Sequence, residues 1–165
     1  MKRDIYIRDA EPKDYDFILN LNETNVEVLS PMPMERMLWI ADMCDLFLLA
    51  EVDGEPAAFL MALSEGKEYD SENYVWFSKK YKHFMYIDRI VIDEPYRSIG
   101  LGRELYGLVK RFSQAIGKEV VTCEVDTIPY NEASLKFHEA MGFKEVGEQI
   151  VRGGAAKVSL KACEL

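Results

Sequence analysis

The chain has 165 residues, 48% of them hydrophobic and 30% charged, and a formal net charge of -9. That length is enough for one domain with a real core and no help from disulfides or metal, and the hydrophobic share excludes a disordered chain. The acidic balance weighs against a sequence-independent grip on nucleic acid, which needs a positive surface to neutralise phosphates.

Positions 5–8 read as a first strand, and Glu11-Pro12 opens a helix carrying Tyr15, Ile18, Leu19 and Leu21, with proline tolerated in the first turn. Ser30-Pro31-Met32-Pro33 breaks the chain before a second helix over 34–43, whose apolar face is Met37, Leu38 and Ala41. Positions 46–52 and 57–63 are strands, and Asp53-Gly54-Glu55-Pro56 between them reads as a hairpin turn. The segment 64–83 breaks the pattern with Glu65, Glu68, Asp70 and Glu72, followed by Tyr74, Trp76, Phe77 and Tyr81. It reads as a surface loop with a short helix or as a lid over a site.

Positions 84–92 form a strand rich in aromatic and β-branched residues, and Leu101, Leu105, Leu108, Val109, Phe112 and Ile116 then recur at helical spacing. A strand over 120–125, a helix over 131–141 and strands over 143–151 and 156–163 come next, with Arg152-Gly153-Gly154 turning between the last two. The class is α+β with a mixed sheet in a single domain over 1–165. The three cysteines, Cys44, Cys123 and Cys163, fall in no ligand-like spacing, which argues against a disulfide framework or a zinc site and fits a reducing cytoplasm. No apolar run has the length of a signal core or membrane helix, so a soluble, unexported protein with no membrane partner is expected.

The junction Arg97-Ser98-Ile99-Gly100-Leu101-Gly102 places glycines between a strand and a helix, where backbone N–H groups and the helix N-terminus attract an anion. A P-loop needs lysine and a hydroxyl after its last glycine, but Arg103-Glu104 come after Gly102. A dinucleotide fingerprint needs a third glycine where Leu105 stands. What remains is R-x-x-G-x-G.

With the preceding Ile90-Val91-Ile92-Asp93-Glu94-Pro95-Tyr96, this stretch resembles the acyl-CoA-binding motif of the GCN5-related N-acetyltransferase (GNAT) superfamily, V-x-P-x-x-R-x-x-G-x-G/A, with the proline one place late at Pro95. A second element, Asn131-x-x-Ser134-x-x-Phe137-His138-x-x-x-Gly142-Phe143, is similar to that family's N-x-x-[AS]-x-x-[LF]-Y-x-x-x-G-F. The resemblance is sharp from about Ile87 to Phe143; in the first half only the order of elements matches. It implies a mostly antiparallel sheet of about six or seven strands with about four helices and a splayed central pair. It implies transfer of an acetyl group from acetyl-CoA to a primary amine, of a small molecule or a polypeptide, with no metal. The alternative is a non-catalytic acyl-CoA-binding sensor domain. Dimers are common in that family, so a homodimer is compatible with it.

By the same resemblance, the backbone of Ile90, Val91 and Ile92 holds the pantetheine arm, and an N–H of Val91 or Ile92 meets the oxyanion. Arg97, Ser98, Ile99, Gly100, Leu101, Gly102 and Arg103 surround the pyrophosphate, as the physics of a helix start allows. Asn131 reaches the arm while also suiting a helix N-cap. His138 stands beside coenzyme where the family usually has the tyrosine that protonates the leaving thiolate. Imidazole can serve if its pKa stays near ambient, and water or Tyr130, after Pro129, are the other donors. Two carboxylates compete as base: Glu124, in a Cys123-Glu124-Val125 setting similar to the L-E-V of some protein N-terminal acetyltransferases, and Asp88, on the strand face of Ile90 and Ile92. Either could instead be structural, with Asp88 paired to Arg89. Met32, Met34, Met37 and Trp39 read as core or as an acceptor wall.

Overall fold

The structure is a computed structural model and describes residues 3–26, 29–128 and 130–165, so Pro129 lies outside the described residues. Its strands are β1 (Ile5–Asp9), β2 (Leu46–Val52), β3 (Glu55–Ser64), β4 (Phe84–Ile92), β5 (Val120–Ile128), β6 (Lys144–Val151) and β7 (Ala156–Glu164). Its helices are α1 (Tyr15–Glu23), α2 (Met34–Met43), α3 (Glu72–Lys80), α4 (Leu101–Ala115) and α5 (Glu132–Ala140). Hydrogen bonds order the strands β1-β2-β3-β4-β5-β7-β6. The pairs β1–β2, β2–β3, β5–β7 and β6–β7 are antiparallel and β4–β5 is parallel, the mixed α+β sheet expected. The helix beyond the expected four is α3, inside the segment 64–83.

The chain divides into two compact units, 1–63 with 87–109 and 64–86 with 110–165. In the first, β2 and β3 join through Asp53 and Gly54 alone, with φ of 52° and 85°, the left-handed pair of a two-residue hairpin. Pro56 therefore lies inside β3, at the bulge beside Glu51, where a missing N–H is tolerated. Arg8 of β1 donates from Nε to Glu51 at 2.8 Å and from its two Nη atoms to Asp14 at 2.7 and 2.9 Å, which fixes the entry to α1. On α2 the buried face is Met37 and Ile40; Leu38, expected inside, is 43% exposed because it points off that face.

In the second unit, Ser71 caps α3 by accepting from the Tyr74 N–H, and the helix buries Tyr74 and Phe77. Tyr74 packs its ring on Phe84 and Tyr86 and donates its hydroxyl to the Ser64 carbonyl at 2.7 Å. The aromatic segment is thus mainly core. Trp76 lies against the backbone of Gly147 on β6. Among the described residues, no helix is long and apolar enough to cross a membrane, and no group of three or more His, Cys, Asp or Glu side chains gathers as metal ligands.

Candidate functional site

The glycine turn belongs to the first unit. Asp93, at the end of β4, donates its N–H to the Ala57 carbonyl at 2.8 Å and caps a short 3-10 turn, Glu94–Tyr96, whose early position Pro95 suits. The late proline is thereby absorbed before the chain reaches the glycines. Arg97 closes the turn, its N–H on the Glu94 carbonyl at 3.2 Å and its Nε on the Ile92 carbonyl at 3.0 Å. Ser98 and Gly100 then take φ of 66° and 88°, and α4 begins. The first intrahelical bond runs from the Glu104 N–H to the Gly100 carbonyl, so the N–H groups of Leu101, Gly102 and Arg103 point out of the helix start. Arg97 and Arg103 are exposed beside them. Backbone donors, a helix N-terminus and two guanidinium groups fit a diphosphate.

Upstream on β4, Val91 is buried while Ile90 and Ile92 are half-buried, the alternation of a strand with one packed face. Asp88 is not a lone carboxylate. Its Oδ2 accepts from Arg89 Nε at 2.7 Å, and the two side chains are only 5% and 3% exposed. The same guanidinium donates to Asn22 Oδ1 at 2.9 Å and to Ser30 Oγ at 3.1 Å. This favours the paired, structural reading of Asp88. Met32 and Met37 are core, whereas Met34 and Trp39 are 40% and 39% exposed, and Arg36 covers the Trp39 ring.

Glu124 and His138 belong to the second unit. The parallel pairing of β4 with β5 covers Phe84, Met85 and Tyr86 against Val120, Val121 and Thr122. Two positions beyond Thr122, half-buried Glu124 accepts a hydrogen bond at Oε1 from the Tyr86 hydroxyl at 2.5 Å. The phenol thereby orients one oxygen of the Glu124 carboxylate.

His138 is 6% exposed, and its ring meets Phe137 and Phe143 edge to face. Nδ1 lies 2.7 Å from the Ser134 carbonyl, a contact only a protonated Nδ1 can make. Burial holds the imidazole below its ordinary pKa against that bond, with Lys161 adding to the depression. The neutral ring therefore keeps its proton on Nδ1, and Nε2 is an acceptor. That geometry favours a packing role over an acid. Asn131 caps α5, its Oδ1 accepting from the Ser134 N–H at 3.2 Å. Tyr130 is 70% exposed.

Sequence reasoning passed over Tyr86, although it lies two positions before Asp88 on the same strand face. It also passed over Asp126, two positions beyond Glu124, which accepts from Arg152 at 2.8 Å. Nothing local in the sequence announces that pair, since 26 residues separate its members.

The family model for the acetyltransferase (GNAT) family matches residues 15–143. No curated protein sequence matches the chain. Among solved structures, the chain is similar to a GNAT-family acetyltransferase from Streptococcus pneumoniae, at 22% identity and TM-score 0.73, with 98% of this chain and 99% of that one covered. It is similar to Ard1 from Thermoplasma volcanium at 16% identity and TM-score 0.80, covering 98% and 97% of the two chains. It is also similar to Arabidopsis thaliana Naa50 in complex with the bisubstrate analogue CoA-Ac-MVNAL, at 16% identity and TM-score 0.75, covering 98% and 99%.

Proposed function

This chain belongs to the acetyltransferase (GNAT) family, and we propose that it transfers an acetyl group from acetyl-CoA to the primary amine of a small molecule or a polypeptide by direct attack. The observation that carries this reading is the left-handed turn at Ser98 and Gly100 opening α4, an anion cradle set inside the family's matched region. A neighbour solved with a peptide-bearing CoA analogue supports a polypeptide acceptor among the choices.

The N–H groups from Ser98 through Arg103 hold the pyrophosphate, with Arg97 and Arg103 adding charge, while Ile99 and Leu101 anchor the turn. Backbone groups of Ile90 to Ile92 hold the pantetheine arm, and the Asn131 amide N–H contributes a donor that the cap does not use. Glu124, oriented by Tyr86, removes a proton from the incoming ammonium directly or through water. The amine nitrogen bonds to the thioester carbonyl carbon, and the N–H of Val91 or Ile92 stabilises the oxyanion. Collapse breaks the C–S bond. As the C–S bond breaks, the nitrogen gives up its second proton and the leaving thiolate gains one through water or Tyr130, because His138 holds its own on Nδ1 toward Ser134.

The test is thiol release on incubation with acetyl-CoA and a panel of amines and N-terminal peptides. Release that depends on an acceptor supports the transferase. Tight acetyl-CoA binding without release across the panel would favour the sensor reading.

A further inference from the structure

The turn between β6 and β7 reaches back to the strand that carries Glu124. Arg152 has φ of 53°, with Gly153 and Gly154 after it at 63° and 95°. A left-handed backbone at a residue with a Cβ persists only where its surroundings hold it there. Two carboxylates do so. The Arg152 N–H donates to Glu72 Oε2 of α3 at 3.4 Å, and its Nη2 donates to Asp126 Oδ2 of β5 at 2.8 Å.

Asp126 is 7% exposed and shares a strand face with Glu124. Directly across on β7, Glu124 faces Leu160 and Asp126 faces Val158, neither charged. From β6, Gln149 pairs with Val158 and donates to Asn73 of α3. From β4, Tyr86 supplies its hydroxyl to Glu124. From α3, Glu72 is engaged by the Arg152 backbone and Tyr74 packs on Tyr86, while the cations Lys79 and Lys80 lie in its last turn, Lys80 over the Trp76 ring. Arg152 thus brings a cation by hydrogen bonding to Asp126, the carboxylate two positions beyond Glu124 on this face.

We propose that Arg152 is a positioning residue for the transfer: through its ion pair with Asp126 it fixes the far end of β5 and cancels a charge that would otherwise act on Glu124. The inference rests on reading Glu124 as the base. Burial raises the Asp126 carboxyl above its ordinary value, and the hydrogen-bonded Arg152 opposes that rise.

Charge and structure make different predictions. Asp126→Asn leaves the guanidinium without its counter-charge, and the acid limb of the kcat/KM profile moves down by roughly half to one pH unit. Asp126→Asn with Arg152→Gln removes both charges and returns the limb to its wild-type position. Arg152→Gln alone lowers kcat about tenfold at unchanged acetyl-CoA KM, and Arg152→Lys restores most of it. The titration midpoint of the Glu124 carboxyl, followed by carbon-13 NMR in wild type and in Asp126→Asn, reads the same shift with no acceptor present. An unmoved limb and midpoint in folded Asp126→Asn, or equal loss in the Gln and Lys variants of Arg152, would overturn the proposal. If Glu124→Gln retains the full rate, the base reading fails and this inference falls with it; if Glu124→Gln is inactive while the Asp126→Asn limb stays in place, only this inference is lost.

Discussion

Tyr86 on β4 donates its hydroxyl to Glu124 on β5 at 2.5 Å, across the short parallel pairing that joins the two strands. On the proposed reading of Glu124 as the base, this bond gives its carboxylate a defined orientation. Glu124→Gln is expected to lower kcat/KM by about 10²–10⁴-fold, the usual scale of general base catalysis, at unchanged acetyl-CoA affinity. Tyr86→Phe removes one hydrogen bond to the charged form, so kcat/KM falls about tenfold and the acid limb of its pH profile moves up. Asp88→Asn breaks a buried pair with Arg89 and shows instead as lost denaturant stability with the acid limb in place. A shifted limb in Asp88→Asn and none in Tyr86→Phe would reverse the assignment.

At the coenzyme end, Gly100 takes φ of 88°, while a Cβ built on it meets no atom within 4 Å. The penalty for a side chain there is therefore conformational, and it falls on the turn that aims the N–H groups of α4. Gly100→Val is expected to weaken acetyl-CoA binding by tenfold or more, about 1.4 kcal/mol, with little change in kcat at saturating coenzyme. Calorimetric titration with CoA checks it. Normal affinity in that variant would contradict the cradle.

The parts of the molecule that obey local rules were legible in the sequence. The bounds of α2, β2 and β4 agree with hydrophobic periodicity, and Asn131 caps α5 as its residue type suggests. Leu38 departs from the expected face because one residue decides which flank of a short helix meets the core. The segment 64–83 is ambiguous in sequence because its apolar residues are aromatic and interleaved with charge. Only tertiary contact with Phe84 and Tyr86 shows Tyr74 as core. The candidate site divides the same way. Its backbone cradle is a local pattern, whereas the Tyr86–Glu124 and Asp126–Arg152 bonds join positions 38 and 26 apart and leave no local mark.

For His138 the sign of its pKa depression fixes the outcome. Burial lowers the folded-state pKa below the unfolded value of about 6.5, so between those two values the unfolded chain binds more protons than the folded one. The contribution is fully present above about pH 6.5 and is lost as the pH falls through the unfolded pKa toward the depressed folded one. His138→Phe removes that titration, and Tm in this variant is expected to vary less with pH below about 6.5 than in wild type. Its kcat should stay within about threefold of wild type, since the aromatic contacts with Phe137 and Phe143 are kept. A large fall in kcat at constant coenzyme affinity would restore the imidazole as the proton donor.

Close packing against β6 helps to hold α3 where Glu72 can reach the Arg152 backbone. A Cβ placed on Gly147 of β6 would lie 2.5 Å from Cζ2 and 2.8 Å from Cη2 of Trp76, and it would meet a rigid ring instead of a flexible side-chain end. Only glycine lets the helix lie this close to the strand. Gly147→Ala is expected to cost about 1–3 kcal/mol of stability by overpacking. Trp76→Leu removes the obstructing ring at its own cost in lost packing, and combining the two should relieve the clash. The double-mutant cycle, read by denaturant unfolding, is therefore expected to show a coupling of about 1 kcal/mol or more in the favourable direction. Because the Asn73–Gln149 and Glu72–Arg152 bonds lie in the same contact, Gly147→Ala should also lower kcat in the manner of Arg152→Gln. Strict additivity of the two substitutions would mean that α3 is held by its buried Tyr74 and Phe77 alone, and that the close approach at Gly147 has no part in placing the turn.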